Sequence, residues 1–315
     1  MSFLSTAVRE VLDEGVFCSV TASTPRGPHC TPLVFAFSGG RVWLTTSRGS
    51  VKVRAWRADP TMAGLVRHGD LAVSFTGRVH MYDVLDRSTW GDAVAGAQAI
   101  ARASVRFSRK NARFFAGYAV DARQVPFAWT PAGRVFVAID IERTALIDAR
   151  GVDEGKGRWG GDVESHAAFR AAKQGSDPLA VVPEEVADPL GREGSGSLAV
   201  LGDRGPVSLP VRWRATEAAL YAALPEESLS LVDAGPEAPV ALTVDLPSAW
   251  RARDMVGAMV QGTGSFHVLD RLGSGAKSAR ALAVSIDPEA GALVRVAPER
   301  LVWWRGWSSG SAEVG

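Results

Sequence analysis

Cysteine is scarce in this sequence, and the histidines are scattered. Only Cys18 and Cys30 occur among 315 residues, which is too few for a disulfide framework or a cysteine metal cage. We expect both to be reduced, buried thiols in a cytoplasmic protein. The five histidines are His29, His68, His80, His166 and His267. No two of them have the close spacing of a metal-binding pair, so we predict no metal site.

An excess of charge and a long apolar run are also missing. Lysine and arginine total 35 against 34 acidic residues, giving a formal net charge of +1. This balance argues against a nucleic-acid partner, because such domains are strongly basic. No apolar run is long enough to span a bilayer, and MSFLSTAVREVLDEG lacks the basic region and apolar core of a signal peptide. We therefore expect no membrane partner.

The chain instead contains a repeat of itself. One set of residues returns 178 positions later, as from Val8 to Val186. The set is Val8, Leu12, Ser19, Arg26-Gly27-Pro28 and Pro32, matched by Val186, Leu190, Ser197, Arg204-Gly205-Pro206 and Pro210. Further along, Val84–Arg87 returns as Val268–Arg271 and Glu142-Arg143 as Glu299-Arg300. Such self-similarity indicates two copies of one structural unit.

The repeat divides the chain into three parts. Residues 1–150 and 183–315 are the two copies, and 151–182 is a linker with a short helix around Val163–Lys173. Each copy shows six strand-like segments, with a short helix after the third, and 89–120 is helical in the first copy. Antiparallel strands in this number favour a small closed barrel, which leaves no exposed edge. The fold class is therefore mainly β with helices: two tandem six-stranded antiparallel barrels.

A cluster of hydroxyls and cations follows the third strand of the first copy, in TTSRGSVK. It is either a solvated turn or an anion site at a helix N-terminus, where backbone N–H groups and cations suit a phosphate. In the second copy the positions of Arg48 and Lys52 hold Glu226 and Ser230. A carboxylate repels a phosphate, so this loss favours an anion site in the first copy alone.

The ordered motifs R-G-P-H-x-T-P-L, G-G-R-V-W-L-T-T, S-R-x-S-x-K and R-A-D-P resemble the pyridoxamine-5′-phosphate-oxidase-like family of FMN-binding split barrels. The resemblance covers residues 8–87 well and 134–148 loosely. Members of this family are usually homodimers that bind flavin between two barrels. The resemblance implies that the chain is a fused pseudo-dimer of split barrels, remaining a monomer or pairing again as a homodimer.

The resemblance also implies a cofactor site. The cofactor phosphate would be held by Thr46, Ser47, Arg48, Ser50 and Lys52. The flavin ring would run beside Pro32, Leu33 and Val34. The tryptophans of the terminal RLVWWRGW either complete the second wall of this cleft or pack in the core.

The function implied is an FMN-dependent oxidoreductase acting on a small-molecule substrate. The alternatives are an F420-dependent reductase, or a non-catalytic module that binds flavin or haem. No residue pattern names a catalytic side chain, as fits flavin chemistry, in which the cofactor carries the hydride. No G-x-S-x-G elbow or phosphate-binding P-loop occurs in the sequence.

Overall fold

The structure is a computed structural model. It describes residues 4–121, 123, 126, 130, 133–161, 163–172, 177–248 and 250–314. None of the helices in these ranges is long and apolar enough to cross a bilayer. The same ranges hold no group of three or more histidine, cysteine, aspartate or glutamate side chains placed to bind a metal ion.

The first half of the chain forms a closed barrel. Its strands are β1 (Phe17–Thr24), β2 (Gly27–Ser38), β3 (Arg41–Ser47), β4 (Thr61–His68), β5 (Leu71–Tyr82) and β6 (Arg134–Asp148). They pair in the order β3-β2-β1-β4-β5-β6, and β3 also pairs with β6, so the sheet closes on itself. Every pairing is antiparallel, which confirms the expected six-stranded barrel. A seventh strand, β7 (Gly151–Lys156), extends the sheet from β6.

Two helices pack against the interior of this barrel. Helix α1 (Thr6–Glu14) and helix α2 (Val51–Ala58) both begin at a serine whose side chain accepts a hydrogen bond from a first-turn N–H. On α2 the apolar residues Val53 and Trp56 pack into the same cluster as the barrel interior. Burial of this face fixes the position of the α2 N-terminus, which follows directly from the end of β3.

Three further helices lie between β5 and β6. They are α3 (Trp90–Ala95), α4 (Ala97–Lys110) and α5 (Ala112–Val120). Helix α4 packs against the outer face of the barrel, where Ala103 contacts Trp43 and Ala138. The sequence prediction of a helical segment over 89–120 is confirmed.

The second half repeats the architecture. Its elements are α6 (Glu184–Leu190), β8 (Glu193–Gly202), β9 (Gly205–Ala215), β10 (Leu220–Leu224), β11 (Glu237–Leu246), β12 (Val256–Val268), α7 (Ala276–Ile286), β13 (Ala292–Arg305) and β14 (Ser308–Glu313). The order is β10-β9-β8-β11-β12-β13-β14, closed by pairing of β10 with β13. A short 3₁₀ helix, Glu226–Leu231, stands where the first barrel has α2.

The two barrels meet through equivalent surfaces. Ser197 Oγ donates to Ser19 Oγ at 3.0 Å, so a residue and its own counterpart touch. A Cβ added to Gly27 would lie 3.4 Å from Pro239, and one added to Gly205 would lie 3.4 Å from Thr61. Each of these contacts is the image of the other under the 178-residue repeat. Such reciprocity is the mark of a two-fold interface, so the chain is a pseudo-dimer within one polypeptide.

The segment between the barrels differs from its prediction. No helix occurs in 163–172; instead Val163 forms a bridge with Ala234 and Ala168 forms one with Ser274. Residue 173, the last of the expected helix, lies outside the described residues. The expected helix is wrong because these contacts with the second barrel override the helical preference of the alanines in this segment.

The long strands of both barrels have an irregularity at an equivalent glycine. The register between β5 and β6 shifts at Gly77, and that between β12 and β13 shifts at Gly262. A Cβ at Gly77 would lie 2.2 Å from the carbonyl oxygen of Asp140, and one at Gly262 would lie 2.0 Å from that of Ala297. Only glycine permits this close approach, which lets the long strands curve and close the barrel.

We expect Gly77→Ala to lower the free energy of unfolding by about 1–3 kcal/mol, because the added methyl must displace the backbone of β6. Urea denaturation followed by circular dichroism measures this. Gly155→Ala in β7 is the control, since a Cβ there meets nothing within 4 Å. Equal stability of the two variants would contradict the bulge as a constraint on closure.

Candidate functional site

A cleft of about 360 Å³ lies between the two barrels. The first barrel contributes His29, Thr31, Pro32, Leu33, Thr46, Ser47, Ser50, Val51, Lys52 and Arg134. The second barrel contributes Met255, Val302, Trp304, Gly306, Trp307, Ser308 and Ser309. Six of the eight residues predicted from the sequence therefore line one cavity, although they come from two separate segments of the chain.

The polar end of the cleft is built where β3 runs into α2. Ser50 is the N-cap of α2, and its Oγ accepts from the backbone N–H of Val53 at 3.3 Å. Thr46 Oγ1 donates to Ser50 Oγ at 3.3 Å, which ties the end of the strand to the start of the helix. Hydroxyls and the first-turn N–H groups of α2 thus lie together at one end of the cavity, an arrangement suited to an anion.

Lys52 is the buried cation of this end. Its side chain projects from the first turn of α2, the residue is only 5% exposed, and Nζ donates to Thr31 Oγ1. The pKa of Lys52 is lowered to about 8, chiefly by burial; Cys30 partly offsets this effect by raising the pKa, and the charge of Arg134 lowers it. No carboxylate is among these causes. The ammonium is therefore held in the fold at a cost, and an anion in the cleft would offset that cost.

Arg134 lies beside Lys52 at the start of β6. It pairs with Ser47 across the strands, and its guanidinium donates to Thr45 through Nε at 2.9 Å to the hydroxyl and Nη2 at 2.6 Å to the carbonyl. Sequence reasoning missed Arg134 as a cleft residue. Its 87-residue separation from Ser47 hides the contact, which exists only because β6 closes the barrel against β3.

The opposite wall is apolar and belongs to the second barrel. Met255 directly precedes β12, Trp304 is the last residue but one of β13, and Trp307 lies in the turn between β13 and β14. Trp307 also packs against the cluster that contains Val34 and Met255. The sequence left two possibilities for the terminal tryptophans, cleft wall or core; Trp304 and Trp307 line the cleft and also pack at the interface.

Arg48 and Val34 do not line this cleft. Arg48 forms a two-pronged ion pair with Asp83, with Nη2 at 2.8 Å and Nε at 2.9 Å from the two carboxylate oxygens. Hydrogen bonding from Arg48 lowers the pKa of the buried Asp83 carboxyl. Val34 faces a second cavity, formed with the inserted helices. A phosphate contact for Arg48 and a ring contact for Val34 stay predictions from the resemblance.

His29 is an additional polar group in the cleft. Burial lowers its pKa to about 3, and the charges of Lys52 and Arg300 act in the same direction. The imidazole is therefore neutral at pH 7, able to donate one hydrogen bond and accept another. The sequence favoured a plain surface histidine here.

The second barrel has the corresponding cleft, but with different chemistry. A cavity of about 400 Å³ is lined by Pro210, Val211 and Pro225, the counterparts of Pro32, Leu33 and Ser47. Its charged lining is mixed: Arg67, Asp70, Asp148, Arg212 and Asp287. The counterpart of Lys52 is Ser230, which donates to the carbonyl of Glu227 at 2.6 Å. The pseudo-symmetry therefore preserves the cavity and not the buried cation.

Comparison with known proteins gives matches in structure alone. No protein-family model matches the sequence, and no curated protein matches it. An FAD-binding protein from Mesorhizobium loti is 20% identical, with a TM-score of 0.31 over 45% of this chain and 94% of that one. A pyridoxamine 5′-phosphate oxidase-related, FMN-binding protein from Nostoc punctiforme is 14% identical, with a TM-score of 0.34 over 48% and 88%. An F420 reductase is 16% identical, with a TM-score of 0.31 over 45% and 98%.

The burial of Lys52 leads to a prediction about stability. Its pKa of about 8 lies below the ordinary value near 10.4, so the folded state binds this proton more weakly than the unfolded chain. The charge therefore disfavours folding below pH 8, and the penalty fades as pH rises toward 10. We expect Lys52→Met to raise the free energy of unfolding by roughly 2–3 kcal/mol at pH 7 and by almost nothing at pH 10.

Urea denaturation at the two pH values measures this difference. Lys277→Met is the matched control, because Lys277 is exposed on α7 in the second barrel and its substitution removes no buried charge. A destabilised Lys52→Met protein at pH 7 would contradict the assignment of Lys52 as a costly buried cation.

Proposed function

We propose that this chain binds one FMN molecule in the cleft between its barrels and uses it as the redox cofactor of an oxidoreductase acting on a small molecule. The observation that carries the proposal is Lys52, a buried ammonium beside a helix N-terminus in a cavity of suitable size. The motif order around it, which resembles the FMN-binding split barrels, is independent support.

The polar end of the cleft fits a phosphate group. Lys52 offers a cation, Ser47 and Ser50 offer hydroxyls, and the first turn of α2 offers backbone N–H groups. Phosphate is the common biological anion that accepts several such bonds at once. Arg48 acts indirectly in this proposal: its ion pair with Asp83 holds the turn between β3 and α2 in place.

The rest of the cleft fits a planar ring. Pro32 and Leu33 form one side, and Trp304, Trp307 and Met255 form the other. Aromatic and thioether side chains favour contact with flat conjugated rings, and they exclude water from the space between the barrels. A bound flavin would supply the two-electron chemistry, and these residues would fix its orientation.

The second cleft is not proposed as a flavin site. Serine replaces lysine at the position of Lys52, and Glu226, at the position of Arg48, accepts a hydrogen bond from Arg271 at 3.4 Å. The stoichiometry expected is therefore one FMN per chain.

Titration of the cofactor-free protein with FMN and with riboflavin tests the site, with flavin fluorescence as the readout. The two ligands differ in the phosphate alone. We expect one FMN per chain in the unaltered protein, and a 10- to 150-fold loss of FMN affinity in Lys52→Met, equal to about 1.5–3 kcal/mol. Riboflavin affinity should stay the same in that variant, and Lys277→Met should match the unaltered protein with both ligands.

Two results would overturn the proposal: no binding of FMN to the unaltered protein, or equal FMN affinity with and without Lys52. Tighter binding of F420 than of FMN in the same titration would mean that the cofactor of this site is the deazaflavin F420.

The pH dependence of binding gives a separate test. Only the protonated form of Lys52 attracts the phosphate, and in the free protein its pKa is about 8. The phosphate is already close to a dianion above pH 7. FMN affinity should therefore fall about tenfold between pH 7 and pH 9, with proton uptake on binding in that range. Riboflavin affinity, and FMN affinity in Lys52→Met, should change little over the same range, and a parallel fall in either would exclude Lys52 as the titrating group.

A further inference from the structure

We infer that a second cavity, next to the flavin cleft, binds the substrate, and that the substrate is a planar aromatic molecule carrying one anionic group. The inference rests on the proposed flavin function for its catalytic meaning. The cavity itself has a volume of about 420 Å³ and lies between the barrel wall and the inserted helices α4 and α5. It is lined by Val34, Thr45, Tyr82, Val84, Phe107, Phe114, Phe115, Arg134, Val135 and Phe136.

The walls of this aromatic cavity suit a flat ring. Phe107 meets Phe136 edge-on, with ring centroids 6.0 Å apart, and lies 5.8 Å from the ring of Phe115 at a tilted angle. Phe136 is stacked on Trp43, with centroids 5.2 Å apart, and Trp43 stacks on Tyr82. Rings fixed in this way present faces and edges to the cavity, which an aromatic ligand matches better than a flexible aliphatic one.

Arg134 joins this cavity to the flavin cleft, because it lines both. Thr45 and Ser47 are two residues apart on β3, so their side chains lie on the same face of the sheet. Thr45 lines the aromatic cavity, and Ser47 lines the flavin cleft. The two cavities are therefore neighbours on one outer face of the barrel. Among the described residues around the aromatic cavity, Arg134 is the one with a full charge, so the polar group expected on its ligand is an anion.

The second barrel acts as an internal comparison. On the same outer face, Tyr221, Ala223 and Leu293 pack against Ile286 of α7 and against Phe169. The position of Arg134, which pairs with Ser47, is taken by Gly291, which follows α7 and precedes β13. In the second barrel this face therefore packs against α7 and Phe169, and glycine stands at the position of Arg134. The aromatic cavity and the flavin cleft occur together on one barrel.

The probes are 2-naphthoate and its neutral analogue 2-naphthamide, titrated by calorimetry into the full-length protein with and without FMN. We expect naphthoate to bind the FMN-loaded protein at least tenfold more tightly than naphthamide. The variant Arg134→Gln should bring the two affinities together.

Val84→Trp tests the location. Val84 lines the cavity but is 73% exposed, so a larger side chain can cover the mouth without entering the core. We expect it to weaken naphthoate binding tenfold or more. The matched control is Val120→Trp on α5, where the valine is 64% exposed and does not line the cavity. Circular dichroism establishes that both variants are folded.

Three results would overturn the inference: no binding of naphthoate, binding unaffected by Val84→Trp, or competition between naphthoate and FMN. Competition would mean that the cavity belongs to the cofactor itself. Failure of the flavin proposal is distinguishable, because it would show as loss of FMN binding while naphthoate binding, sensitive to Val84→Trp, persists.

Discussion

The cleft depends on one constraint, the charge of the buried Lys52 side chain. An ammonium in this position opposes folding, so the surrounding structure must hold it there. Two features do so: Val53 and Trp56 anchor α2 in the barrel interior, and Ser50 ties the helix to the end of β3. A residue that costs stability and lies in a cavity is typical of a binding site, since selection for stability alone would replace it with an apolar side chain.

The two-fold arrangement explains why both barrels have a cleft, while Lys52 of the first is replaced by Ser230 in the second. The interface needs its surfaces in both copies, because Ser19 touches its own counterpart Ser197, and the contact of Gly27 with Pro239 is repeated by that of Gly205 with Thr61. The segment after the third strand is under no such constraint. It forms helix α2 in one barrel and the 3₁₀ helix Glu226–Leu231 in the other. Fusion of the copies allows them to differ, whereas two identical chains would carry the same substitution in both sites.

The sequence was sufficient for the fold, and for the parts of the site that are local in the chain. Strand alternation, glycine turns and the repeat predicted the barrels, and the cluster from Thr46 to Lys52 lies within seven residues. Contacts between distant segments were not predictable. Arg134 reaches the cleft through the pairing of β6 with β3, and Arg48 is turned toward Asp83, 35 residues away. The helix expected from Val163 failed for the same reason, because long-range bridges determined its backbone.

The insertion between β5 and β6 gives the first barrel what the second lacks. In the second barrel the shorter connection supplies α7, whose Ile286 and Ala283 pack directly on the sheet. In the first, α4 packs on the sheet through Ala103 and Phe107, and Phe107 together with Phe114 of α5 also lines a cavity. A packed core normally closes such a space, since each unfilled volume costs stability. Its persistence beside the barrel's buried lysine is accounted for if both hold ligands, as the proposed cofactor and substrate sites require.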